Sequence, residues 1–259
     1  MAIIGAILGD IAGSQYEFSP TKIYDYKQCE LFTNRCAFTD DTVMTLAVKE
    51  AVLNSVSFVE AFRKLGREYP DSGYGGMFYR WLQDESMGPY NSYGNGSAMR
   101  CSYIGEFFNT EKEVIEWAKK SAECTHSHPE GIKGAVVTAM CIYMARTGAS
   151  KDEILKYTAE QYSKSDNKYS AVYRLDEYRD GYKWDVTCQG SVPVAVRCFY
   201  ESEDYESFIR NVFSLYCDRD TLSAIGGGIA EEFYHATVAD EEELLKKYLY
   251  EDLYKIVKM

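Results

Sequence analysis

Thr39-Asp40-Asp41-Thr42-Val43-Met44-Thr45-Leu46-Ala47-Val48-Lys49-Glu50-Ala51-Val52 is the stretch on which the fold class turns. Its first four residues carry paired carboxylates flanked by hydroxyls. Beyond them Met44, Ala47, Val48, Ala51 and Val52 recur at intervals of three and four, the spacing of a buried helix face. The pattern predicts a helix over 42–54 with the acids at its start. A second stretch, Asp218-Arg219-Asp220-Thr221, has the same design and leads into Leu222, Ile225, Ile229 and Phe233. Asp and Thr commonly cap the free N–H groups of a first helical turn. One such side chain per helix suffices, and here each helix has a surplus. The acids are therefore either caps on a solvated surface or donors of a site.

Outward from these stretches the chain continues to read as helices. Residues 2–18 predict a first helix with Ile4, Ile7, Leu8 and Ile11 as its core stripe. Gly5, Gly9 and Gly13 form a ridge without side chains. Each costs about 1 kcal/mol relative to alanine in a helix interior. Either another helix packs very closely there, or the bare track ends in Glu17 and presents that carboxylate beside the acidic clusters. Both readings can hold together. Residues 19–37 read as an irregular loop opened by Ser19-Pro20.

Ser57 with Glu60, Thr110 with Glu113 and Ser150 with Glu153 each fit a capping box that starts a helix. The runs Gly73-Tyr74-Gly75-Gly76 and Ser92-Tyr93-Gly94-Asn95-Gly96 are loops, either plain turns or backbone N–H groups able to approach a phosphate. Thr125-His126-Ser127-His128-Pro129 ends one helix before a largely buried one over 131–145. Its histidines suit hydrogen bonding better than zinc, which would want further ligands nearby.

Residues 163–190 are the least regular, with Asp180-Gly181 as a turn and room for a small hairpin over 182–187. Ser191-Val192-Pro193 begins a helix with proline in its first turn. Another helix spans 208–215, and a last one starts from Asp240. The expectation is an all-α fold, a single domain over 1–259.

Composition limits the partners. The chain has 259 residues, 46% of them hydrophobic, enough for a sizeable core, and a net charge of -12. That charge argues against nucleic acid or an anionic membrane as partner. The eight cysteines contain no Cys-x-x-Cys pair and read as reduced thiols of a cytoplasmic protein. Met1 to Leu8 is apolar but lacks a basic region, and Asp10 interrupts it too early for a signal peptide or membrane span. A monomer is the favoured assembly.

Carboxylate and hydroxyl oxygens suit hard cations such as magnesium or manganese. Asp40, Asp41, Asp218, Asp220, their threonines and Glu17 exceed the needs of one octahedral ion. A pair of ions ~3.5–4 Å apart fits the count.

Several motifs in order also resemble the ADP-ribosylglycohydrolase family (dinitrogenase reductase-activating glycohydrolase-like ADP-ribosyl hydrolases), all-helical enzymes that remove ADP-ribose from proteins or small acceptors. They are Gly9-Asp10-Ile11-Ala12-Gly13-Ser14-Gln15-Tyr16-Glu17, Phe38 to Thr42, Tyr93 to Arg100, Thr125-His126, Ser191-Val192-Pro193 and Asp218 to Thr221. The resemblance implies two magnesium ions, or manganese, held by Thr39, Asp40, Asp41, Asp218, Asp220 and Thr221. It implies Glu17 beside them as gate, ligand or general base, with Asp40 the other candidate base. Ser92, Tyr93, Gly94, Asn95 and His126 would hold phosphates and ribose, with Gly75 and Gly76 near the diphosphate. The substrate would be an ADP-ribosylated protein or small molecule.

The second cluster departs from the usual family pattern, in which glycines precede the first Asp and a small residue separates the pair. Here Tyr216 and Cys217 precede it, and Arg219 lies between. Arg219 is expected to point outward to a surface acid, the alternative being that it reaches a substrate phosphate, and Cys217 to be buried and inert. A non-catalytic, crystallin-like ADP-ribose binder and a magnesium-dependent hydrolase of another nucleotide-like substrate are the rival readings.

Overall fold

Fifteen helices make up the regular structure of the described residues, 2–19, 23, 25–163 and 167–259, in a computed structural model. In chain order they are α1 (Ala2–Ser14), α2 (Asp40–Asn54), α3 (Phe58–Glu68), α4 (Gly76–Gln83) and α5 (Gly96–Met99). Next come α6 (Ser102–Phe107), α7 (Glu111–Glu123), α8 (Pro129–Arg146), α9 (Lys151–Gln161) and α10 (Leu175–Gly181). The last are α11 (Cys188–Tyr200), α12 (Tyr205–Phe213), α13 (Arg219–Tyr234), α14 (Glu241–Tyr248) and α15 (Glu251–Lys258). The fold is all-helical. Among the described residues the nearest thing to a sheet is one isolated antiparallel bridge, Gly94 to Thr187. No described helix is long and apolar enough to cross a membrane.

Helix α1 is buried from Ala2 to Gly13 and runs antiparallel to α13. The glycine ridge explains how close they come. A Cβ on Gly5 would meet the Gly227 carbonyl oxygen at 2.4 Å, one on Gly9 the Ser223 oxygen at 2.3 Å, and one on Gly13 the Asp220 nitrogen at 2.4 Å. No side chain fits, so backbone lies directly on backbone. Around this pair stand α2, α8, α11 and α12.

Several boundaries differ from those read in the sequence. Helix α1 ends at Ser14, and residues 15–18 are turns. Helix α2 starts at Asp40, with Thr39 as its N-cap accepting from Asp41 N, so the acids belong to its first turn. The predicted caps Ser57, Thr110 and Ser150 all accept a backbone N–H three residues on. Residues 175–181 form α10 instead of a turn, and 182–186 are irregular, with Thr187 alone bridging to Gly94 instead of a hairpin forming.

Helix α11 begins at Cys188, which puts Pro193 inside it. A proline there cannot donate to the carbonyl four residues back. Asn167 Nδ2 takes the orphaned Gln189 oxygen at 2.9 Å. The 208–215 helix runs instead from Tyr205 to Phe213, and the C-terminal segment breaks at Leu249–Tyr250 into α14 and α15. Met1, residues 20–22 and 24 of the expected loop over 19–37, and residues 164–166 lie outside the described residues.

Candidate active site

Asp10 is the first part of the site and the one the sequence reading left out. It is fully buried, and its carboxylate accepts from Thr39 N at 2.9 Å, Thr39 Oγ1 at 2.7 Å, Thr42 N at 3.1 Å and the Thr42 hydroxyl. One side chain of α1 thus fastens the first turn of α2. Gly13, one turn further along α1, admits the backbone of Asp220 and so fixes the first turn of α13. A single helix brings together two segments that are remote in sequence. Thr221 Oγ1 donates to Asp41 Oδ2 at 3.3 Å, across 180 residues of chain.

Two carboxylate triads result. Oxygens of Asp10, Asp41 and Asp220 lie within 4.8 Å of one another, and so do oxygens of Glu17, Asp218 and Asp220. Asp220 belongs to both. Burial raises the Asp41 and Asp220 carboxyls well above the usual range, and the neighbouring acids push the same way. Burial lifts Asp10 to about 6 despite its hydrogen bonds. Burial, followed by repulsion from Asp218 and Asp10, lifts Glu17 to about 7. Asp218 is raised by burial, opposed by a hydrogen bond from Asn95. Asp41 Oδ1 is buried with no hydrogen-bond partner among the described residues. Buried, mutually repelling carboxylates with an unmatched oxygen are a donor set that could hold a hard cation.

The cage forms one end of an open cavity of about 510 Å³. Glu17, Asp40, Asp41, Asp218, Asp220 and Thr221 line it, as do Gly75, Gly76, Ser92, Gly94, Asn95 and His126. Gly75 is the N-cap of α4 and Gly76 its first residue, and open space lies where a Cβ of either would be. Other predicted residues sit differently. Asp40 lines the cavity but belongs to neither triad. Thr39 is turned toward Asp10 and does not line the cavity. Tyr93 also stands outside the lining, half-exposed, its ring 5.2 Å from that of His128. Asn95 directs its side-chain amide at Asp218 Oδ2 (2.8 Å) and Ser191 Oγ (3.1 Å), holding the cage as well as facing the cavity.

His126 is fixed from behind. Arg100, 1% exposed, donates to Ser121 O at 2.7 Å and to Thr125 Oγ1 at 3.0 Å. The Thr125 hydroxyl lies 2.8 Å from His126 Nδ1. With the threonine proton directed to Nδ1, the imidazole would carry its own proton on Nε2, which faces Gly94 and Gly96. Burial, and then Arg100, hold the imidazole well below its usual pKa, so it is neutral. Trp184 and Val186, which the sequence reading passed over, complete the wall, with Phe18 and Met77 exposed at its edge.

Arg219 does not point outward. It is fully buried and donates to Tyr16 O at 3.1 Å and Leu215 O at 2.7 Å. Cys217 is buried as expected, its thiol pushed up to about 12 by burial.

An all-helical fold with buried acidic clusters beside an open cavity defines a site whose oxygen donors could hold hard cations. The chain belongs to the ADP-ribosylglycohydrolase family, whose model matches residues 1–230, and it is a hydrolase of that family. It is similar to ADP-ribosylhydrolase ARH3 of Mus musculus, 26% identical across 90% of this chain and 82% of the relative. ADP-ribosylhydrolase ARH3 of Homo sapiens is likewise 26% identical, across 90% and 84%. A solved structure described as an ADP-ribosylglycohydrolase-related protein complex matches 98% of this chain and 93% of its own, with a TM-score of 0.72 and 22% identity. That likeness bears on the fold.

Proposed function

We propose that this protein hydrolyses the bond between C1 of ADP-ribose and an acceptor, a protein side chain or a small molecule, with two divalent ions bound. The observation that carries the reading is the convergence of Asp41 and Asp220 in one triad, with Asp220 shared by a second, beside the cavity that both line. Magnesium is the natural occupant, manganese the alternative. Asp40, Asp41, Asp218, Asp220 and Thr221 would hold them, with Thr39 beside Asp10 completing the set from behind. When bound, the ions supply charge stabilisation and a more acidic water.

The chain's own residues account for the rest. Breaking a glycosidic bond builds positive charge on the sugar, and a wall of carboxylates favours it. Glu17, beside Asp218 and Asp220, accepts the proton of the attacking water. Its carboxyl near neutrality suits that role, since a base works best with a pKa close to the working pH. Asp40, outside both triads, is the weaker candidate. The first turn of α4 at Gly75 and Gly76 takes the diphosphate through backbone N–H groups. The Ser92–Gly96 loop, whose Gly94 and Asn95 N–H groups already donate to Ser92 Oγ and Val186 O, lies beside the phosphates and ribose. His126 donates from Nε2 as a neutral group.

The test is a panel of arginine-, serine- and acetyl-linked ADP-ribose, incubated with and without magnesium and read by mass spectrometry. Free ADP-ribose appearing only with magnesium supports the reading. Binding without turnover would point to the crystallin-like alternative. Inorganic phosphate as product would point to another nucleotide hydrolase.

A further inference from the structure

We propose that Arg219 is a positioning residue that holds Glu17 against the Asp218–Asp220 pair, an inference that rests on the reading of Glu17 as part of the cage. Asp218 and Asp220 face the cavity, while Arg219 between them faces the opposite way into the protein. Among the described residues its guanidinium donates to two backbone carbonyls, Tyr16 O at 3.1 Å through Nη1 and Leu215 O at 2.7 Å through Nη2.

Those carbonyls belong to the two segments that must meet. Tyr16 immediately precedes Glu17, beyond the end of α1. Leu215 lies in the turn between α12 and α13 that delivers Asp218. One planar group therefore fixes the spacing between the backbone carrying Glu17 and the backbone carrying its carboxylate partners.

The Glu17 turn is also held at Gln15, which donates to Leu31 O at 2.9 Å and accepts from Thr33 Oγ1 at 2.9 Å, and at the Tyr16 ring, which Arg35 covers at 5.8 Å. Arg219 is the tie that joins its backbone to the segment before Asp218. The turn's internal bonds are Tyr16 N to Gly13 O at 2.9 Å, Glu17 N to Ser14 O at 3.3 Å and Ser19 N to Tyr16 O at 3.0 Å. Phe18, on the far side of Glu17, is 81% exposed and provides no anchor. The Tyr16 ring packs edge-on against Phe213 with centroids 5.3 Å apart. Loss of the Arg219 fork thus leaves the ring seated but frees the peptide that aims Glu17. Lysine cannot replace the fork, because one ammonium offers no rigid pair of donors.

A double-mutant cycle on the full chain tests this, using Arg219→Met, Glu17→Gln and the combined variant, with Arg219→Lys as the milder partner. Two readouts are taken: Mn2+ affinity, from the electron paramagnetic resonance signal of free ion, and kcat and KM for release of ADP-ribose. Loss of a supporting residue behind a metal site typically costs about ten- to hundredfold in affinity or activity. Arg219→Met is expected to fall in that range in affinity and in kcat, with KM little changed. Most of that loss disappears in the Glu17→Gln background, and Arg219→Lys falls between. Full multiplication of the two single losses in the double variant overturns the proposal, as does wild-type affinity and kcat in Arg219→Met. Should Arg219→Met fail to fold, the same cycle is run with Arg219→Lys. If the parent chain binds Mn2+ but releases no ADP-ribose, the proposed reaction fails while the affinity cycle still decides the role of Arg219.

Discussion

At the residue scale the site depends on a few buried carboxylates with different duties. Asp220 is shared by both triads, so Asp220→Ala should reduce turnover by roughly the 10²–10³-fold associated with losing a key electrostatic group, and should weaken Mn2+ binding. Asp41→Ala should do the same, and steady-state kinetics checks both. Asp10 has another duty, since its oxygens are filled by Thr39 and Thr42. Asp10→Ala leaves those donors buried and unmatched, and should cost about 2–3 kcal/mol in urea unfolding. The sequence showed the paired acids plainly because they exceed what capping needs. Asp10 escaped notice because a lone acid in an apolar helix gives no periodic signal, and its partners are set only by the docking of α2. The inward turn of Arg219 was hidden for a similar reason. Its two acceptors are backbone carbonyls, which leave no mark on side-chain pattern.

The α1–α13 pair is where element-scale packing becomes chemistry. Its glycine ridge was legible, and its two readings prove compatible: backbone lies on backbone, and Glu17, in the turn beyond the end of α1, still comes up against Asp218 and Asp220. Gly9→Ala puts a methyl 2.3 Å from the Ser223 oxygen, an immovable backbone atom. It should destabilise the protein by about 1–3 kcal/mol, read by urea unfolding, and weaken Mn2+ binding by pushing the first turn of α13 away. Helices with clear apolar spacing, such as α2, α8 and α13, were readable for the same physical reason that they are buried. Helix α10 was not, because the Tyr-rich segment around it has little apolar periodicity. Leu175 and Tyr178 are its buried residues, and the Tyr178 hydroxyl donates to Ser170 O at 2.7 Å. The break between α14 and α15 was masked because Leu245, Leu249 and Leu253 stay buried on both sides of it.

For the whole molecule, the cage links stability to pH and to cations. Asp10 moves from 3.8 to about 6 and Glu17 from 4.5 to about 7 on folding, both raised by burial. Within those windows the folded chain holds more protons than the unfolded one, so their contribution is retained below the unfolded values and lost as pH rises. Divalent ions bind the deprotonated carboxylates and oppose that loss. The magnesium-induced rise in melting temperature should therefore grow across the same range. At about 100 times the dissociation constant it should reach about 2.7 kcal/mol, or roughly 5–10 °C, by differential scanning fluorimetry in chelator and in magnesium. We read 1–259 as one domain, which predicts a single cooperative calorimetric transition. The central claim, that remote acids form one cage for paired hard ions, is tested most directly by anomalous diffraction from crystals soaked in Mn2+. The account predicts two peaks ~3.5–4 Å apart, enclosed by Asp40, Asp41, Asp218 and Asp220. Well-occupied Mn2+ sites elsewhere with none between Asp41 and Asp220 would contradict it.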